Sequence, residues 1–305
     1  MRRVTGGFVV GGFTDHHVHL QLVDASALAN SPLGRVIDLG GNPDALAAAR
    51  TQPTAEPVEA RERLRNHDRL RDHLSAIGIE LAFAGAFLTP PGGYPSDRSW
   101  APEGSVREIA DADAAARAVV EMEDAGATCI KVASNSTAGP VFSDELFARI
   151  VELAASHRLP LVAHAEGPGE AQRVARLGGA RLAHAPFSER LSDAEIDEQA
   201  ASIEWISTLA IHEGEAYDVA VDNVRRFHAA GGTVLYGSDM GNGPTPVGLN
   251  PHEIAALRDA GIDGDDLVYA LSPVAGTRLQ FIPGDSPDVA DPLLAHPLTD
   301  ADLEA

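Results

Sequence analysis

Four histidines, one lysine and one aspartate stand at the ends of short β-type runs. His17 and His19 close the first run, two residues apart, so both side chains point to the same face of an extended chain. Lys131 sits in ATCIKVAS, His164 follows LPLVA, His184 follows ARLA and Asp239 follows TVLYGS. A single histidine is as a rule a structural or surface residue, and any one of these alone would carry no weight. Gathered at strand ends they are not independent accidents, and imidazole with carboxylate is a metal-ligand set. Without thiolate it suits zinc first, with manganese, iron or nickel as alternatives.

The lysine has a chemistry of its own. Of 23 basic residues, 22 are arginine and one is Lys131. Coding bias explains the arginines. The surviving amine lies in an apolar run, where a cation is costly to bury unless it is paired or neutralised. Arginine cannot lose its proton, whereas a buried lysine can. A neutral amine that captures carbon dioxide becomes a carbamate, an anion able to bridge two metals as a carboxylate does.

The elements that must position these groups alternate between β-branched runs and longer amphipathic ones, the pattern of βαβ units around a parallel sheet. Strands are expected near Gly12–Leu20, Gly34–Leu39, Glu80–Leu88, Thr128–Ala133, Pro160–Ala163, Arg181–Ala183, Ile203–Leu209 and Thr233–Tyr236. Helices fill the gaps. Ser143 opens one with Leu146, Ile150 and Leu153 as its apolar stripe, Ser192 and Glu195 form a capping box, and Asn250-Pro251 starts another. Eight such units predict a single-domain α/β protein, a (β/α)8 TIM barrel over residues 1–282, with an acidic C-terminal tail over 283–305. The strand ends of such a barrel open onto one mouth. The polar Arg50–Glu62 segment and the Gly- and Pro-rich Thr89–Ser105 segment read as loops there.

Composition narrows the partners. A net charge of −22 argues against sequence-independent nucleic-acid binding and against anionic membranes, since both need basic surface. The hydrophobic share of 44% supplies a large core. One cysteine, Cys129, excludes an intrachain disulfide framework. No apolar run reaches the roughly 18–20 residues of a membrane span. The first segment, broken by glycine pairs and running into Asp15, reads as mature protein, so a cytoplasmic location is expected. A homo-oligomer remains open.

At these residues the chain resembles the amidohydrolase superfamily. GGFTDHHVHL is similar to its strand-1 Asp and His-x-His motif, and ATCIKVAS to the strand-4 segment bearing a carboxylated lysine. VAHAEG and LAHAP are similar to the strand-5 and strand-6 histidine segments, and LYGSDMG to the strand-8 aspartate segment. The resemblance runs from about Phe8 to Gln280 and is closest to the branch of imidazolonepropionase-like proteins and Xaa-Pro dipeptidases. It implies His17, His19 and Asp239 on one metal, His164 and His184 on a second, and carboxylated Lys131 bridging them. It further implies a bridging hydroxide as nucleophile and Asp239 as general base and acid, in hydrolysis of an amide, cyclic amide, carbamate or ester of a small molecule. The alternatives are a mononuclear deaminase or lactonase on the same barrel, and a metal-binding barrel without turnover. Deaminases of the superfamily typically lack the bridging lysine, which counts against the first.

Two departures bear on the substrate. Relatives carry a β-sandwich made from residues on both sides of the barrel. Here only about ten residues precede strand 1, so the sandwich is expected to be absent or vestigial. Relatives also tend to have a histidine where this chain has Tyr94, which makes Tyr94 a candidate substrate contact. His212, past strand 7, is the other. His16 should face away from the site. His67, His73, His157, His228 and His296 read as surface or helix-end residues, and Cys129 as core.

Overall fold

A computed structural model describes residues 1–50, 74, 78–273, 279–286, 290–299 and 302–303. The Arg50–Glu62 loop and the segment bearing His67 and His73 lie, apart from Arg50, outside the described residues.

The β-type runs become parallel strands in two sheets. Strands β3 (Phe13–Val18), β4 (Leu33–Asp38) and β5 (Glu80–Phe83) form one, in that order. The other is seven-stranded. It contains β6 (Phe87–Thr89), β7 (Val106–Glu108), β8 (Ile130–Asn135), β9 (Leu161–Glu166), β10 (Arg181–Leu182), β11 (Glu204–Ile206) and β12 (Val234–Leu235). Its order is β12-β11-β10-β9-β8-β6-β7.

The pairing ladder is not continuous around these strands, but single backbone bonds join the two sheets at both seams. His16 and His19 donate N–H to the carbonyls of Tyr236 (3.0 Å) and Met240 (2.7 Å), and Thr128 donates to Phe83 (2.8 Å). The run expected as one strand over Glu80–Leu88 is two, β5 and β6, in different sheets. Gly85, at φ +79°, makes the break. The freed Ala86 N–H is answered by Met122 Sδ at 3.2 Å and the Gly85 carbonyl by Gly41 N–H at 2.9 Å. β7 was not expected at all; it is short and half-buried, with too few residues to show alternation.

The helices start where their caps predict. Ser143 accepts from Leu146 N–H ahead of helix Asp144–Ser156, Ser192 and Glu195 make the reciprocal box ahead of Asp193–Ala200, and Asn250 caps Pro251–Asp259. One large core lies between helices and strands. A second, small cluster consists of Leu39, Ala84, Cys129, Val162, Ala183, Ile206 and Leu235. Each comes from a different strand or the residue beside one, and their side chains pack against one another. Cys129 is core, as expected.

The segments flanking the parallel strands form a four-stranded antiparallel sheet: β1 (Arg2–Val4), β2 (Gly7–Gly11), β13 (Leu279–Pro283) and β14 (His296–Pro297), in the order β1-β2-β13-β14. Residues drawn to either side of a boundary at 282 therefore share β13. These four strands make one sheet among the described residues. No helix among them is long and apolar enough to cross a membrane.

Candidate metal centre

The strands β3, β8 and β9 and the residues after β3, β10 and β12 bring His17, His19, Lys131, His164, His184 and Asp239 to one cavity of about 420 Å³; Lys131 is the second residue of β8 rather than at its end, as the run had suggested. All six are buried, none more than 9% exposed. Tyr94 and His212 line the same cavity. His16 does not; its Nδ1–H donates to the Tyr236 carbonyl at 3.0 Å on the other face of β3.

The imidazoles are held by their outer nitrogens. His17 Nδ1 lies 2.8 Å from the Ala183 carbonyl and His19 Nδ1 3.1 Å from that of Gly40. A carbonyl only accepts, so Nδ1 carries the proton and Nε2 presents a lone pair inward. His184 Nδ1 is fixed by the Thr208 hydroxyl at 2.9 Å. His164 is turned the other way, with Nε2 on Glu166 Oε2 at 3.1 Å, which leaves Nδ1 free of that contact.

Asp239 Oδ1 lies 3.2 Å from Nε2 of both His17 and His19. It is buried and receives no well-directed hydrogen bond. Its other oxygen accepts from Asn242 Nδ2 at 2.7 Å. The residue sits at φ +54°, a left-handed conformation that costs an aspartate about 1–3 kcal/mol and is kept where surroundings impose it. Asp15 supplies part of that restraint. Its carboxylate accepts from the backbone N–H of His17 and Ser238 (both 3.1 Å) and from Ser238 Oγ (2.5 Å), tying the end of β3 to the segment after β12. Asp38 does the same around His19, accepting from Leu20 N–H (2.7 Å) and Gly40 N–H (3.0 Å).

Protonation follows from burial and neighbours. Burial drives His17 and His184 well below the usual imidazole value. It works against His19 too, but the Asp239 carboxylate outweighs it and holds His19 up. Burial alone would raise Asp239; the surrounding imidazoles overcome that and keep it well below the usual carboxylate range. Burial lowers the Lys131 amine to about 7, within reach of the neutral form needed for carboxylation. A cluster of inward lone pairs around an orphaned carboxylate oxygen fits a cation.

The residues expected on the two cations adjoin one another at His184. Ligand atoms of His17, His184 and Asp239 lie within 4.8 Å of one another. His184 therefore stands beside both groups, its ring 4.7 Å from His17 and 4.9 Å from His164.

Several lining residues escaped the sequence reading. Glu166, two residues past His164, shares its face of β9, and that spacing was the available signal. The hydrogen bond from His164 holds its carboxyl below the ordinary value. Trp100, Phe187 and Asn242 come from loops whose paths no periodicity gives. Tyr94 stacks on His164 at 5.3 Å and burial pushes its phenol up to about 12. His212 packs on Phe187 at 4.1 Å; burial lowers it to about 4, and its Nε2 is buried without a partner.

No protein-family model matches the chain, and no curated protein sequence matches it. Solved structures do. A Xaa-Pro dipeptidase with methionine in its active site superposes with a TM-score of 0.68 at 15% identity, covering 96% of this chain and 87% of its own. This chain has its fold. Phenylurea hydrolase B aligns with a TM-score of 0.66 at 15% identity, over 98% of this chain and 86% of its own. Ochratoxinase from A. niger gives 0.65 at 15%, over 95% and 82%. The family resemblance drawn from the motifs and the architecture of these neighbours agree.

Proposed function

We propose that the chain is a metal-dependent hydrolase that cleaves the C–N bond of an amide, cyclic amide or carbamate, or an ester, of a small molecule, on a (β/α)8 barrel. The observation that carries this is the buried Asp239 oxygen, 3.2 Å from two imidazole nitrogens whose outer N–H groups are engaged elsewhere, at the floor of an open cavity. His17, His19 and Asp239 would hold one divalent cation, His164 and His184 a second, and Lys131 as its carbamate would join them. Zinc suits the donors first, with manganese, iron or nickel as alternatives. Such cations acidify water at neutral pH and polarise a carbonyl.

The chain's own groups do the rest. Asp239 accepts the proton of the attacking water and returns it to the leaving nitrogen as the C–O bond forms and the C–N bond breaks. Asp15 ties the end of β3 to the segment after β12, and Asp38 holds the backbone around His19, so that Asp239 and the two imidazoles keep their spacing. The fold shared with a dipeptidase and a phenylurea hydrolase supports C–N cleavage as the reaction.

A single-cation reading, a deaminase or lactonase, draws on the His17, His184 and Asp239 grouping. Metal analysis of purified protein separates the two. About two ions per chain, falling in Lys131→Ala, supports the first reading. One ion, unchanged in Lys131→Ala, supports the second.

A further inference from the structure

Six rings follow one another along the cavity. Trp100, Tyr94, His164, His184, Phe187 and His212 have successive centroid separations of 6.1, 5.3, 4.9, 6.3 and 4.1 Å. The arc starts in the loop after β6, crosses two of the candidate ligands and ends in the loop after β11. Rings set at changing angles along one cavity can meet a flat substrate ring face-on or edge-on.

At the middle of the arc stands Glu166. Its Oε2 accepts from Asn135 Nδ2 (2.7 Å) and contacts His164 Nε2 (3.1 Å), and its Oε1 accepts from Thr137 Oγ1 (3.2 Å). A carboxylate offers about four acceptor positions, so one remains on Oε1. At the end of the arc, His212 Nε2 is buried without a partner. Among the described residues no arginine lines the cavity; Arg98 lies over the Tyr94 ring at 5.6 Å but is not part of the lining.

We propose that the substrate is an uncharged aryl amide, aryl carbamate or aryl urea, with its ring on this arc and an N–H donated to Glu166, and that Glu166 selects against a free carboxylate. This rests on the hydrolase reading above and adds the substrate class. A lining without a guanidinium offers a carboxylate no side-chain cation to pair with away from the candidate metal centre, while a fixed anion repels one. Glu166 is thus a specificity-determining residue, which sets this site apart from one built for the carboxyl end of a dipeptide.

The test compares acetanilide with 4-acetamidobenzoate, which differ by one carboxylate, on the metal-loaded protein. Two readouts are taken: kcat/KM, and quenching of Trp100 fluorescence, identified by its loss in Trp100→Phe. The other tryptophan, Trp205, is buried against Phe227 and should not respond. Wild type is expected to favour acetanilide at least about tenfold in both. Glu166→Gln, with metal content checked, is expected to bring the ratio towards one.

A wild-type ratio at or below one overturns the proposal whatever the variant does. So does a ratio unmoved in a metal-replete Glu166→Gln, or the absence of quenching by acetanilide. Quenching with the expected preference but no hydrolysis would instead remove the hydrolase reading and leave the selectivity standing.

Discussion

Lys131 should destabilise the metal-free protein, and the size of that effect follows from its burial. The residue is 1% exposed, and the proton affinity of its amine falls from an ordinary 10.5 to about 7. Between those values the unfolded chain binds a proton that the folded chain has lost, so the wild-type protein gains stability as pH rises through this window. Below pH 7 both states are protonated and the whole penalty is present, about 5 kcal/mol at 1.36 kcal/mol per unit. At pH 9 only the part between 9 and 10.5 remains, about 2 kcal/mol.

Lys131→Met removes the charge and keeps most of the volume. Urea unfolding of metal-stripped, carbon dioxide-depleted protein should therefore show the variant more stable than wild type by about 5 kcal/mol at pH 6 and about 2 kcal/mol at pH 9. Metal and bicarbonate should restore wild type and leave Lys131→Met unaffected. A variant less stable than wild type at pH 6, or a difference that does not shrink by pH 9, would mean that the amine is solvated or paired, and the argument from desolvation would fail.

Three other outcomes are expected. Asp239→Asn should keep the cavity and bind substrate but lose about 10²–10⁴-fold in kcat, measured with metal content in parallel, because an amide cannot carry the proton. Gly40→Ala should cost about 2–3 kcal/mol in urea unfolding, since its Cβ would stand 2.0 Å from the Phe87 ring and its φ of +156° disfavours a side chain. Ser192→Ala should lose about 1 kcal/mol by removing the side-chain half of the capping box ahead of Asp193–Ala200, with no change in kcat/KM.

What could be read in advance was whatever depends on local pattern. The period-two placement of His17 and His19, the strand-end histidines and the single lysine are one-dimensional signals, and the structure gathers their side chains in one cavity. The caps at Ser143, Ser192 and Asn250 are equally local. The break at Gly85 was hidden because Ala84, Gly85 and Ala86 interrupt neither the hydrophobicity nor the length of the run. The bond that accommodates it, Met122 Sδ receiving the Ala86 N–H, is a contact across 36 residues. The aromatic arc was illegible for a similar reason. Trp100 and Phe187 sit in loops whose course is set by tertiary packing, not by propensity. Glu166 was within reach, two residues from a candidate ligand, but a glutamate at a strand end has no signature until its donors are known.

The pairing of β2 with β13 sets a timetable for synthesis. Residues 7–11 leave the ribosome ahead of their partners at 279–283, which emerge on the order of tens of seconds later at typical elongation rates. Throughout that interval β2 can pair with β1 only, and its other edge waits exposed. That sheet is thus completed only after all the parallel strands between its two halves have been made. A nascent chain stalled before residue 279 should present that edge to chaperones, or to another copy stalled at the same point.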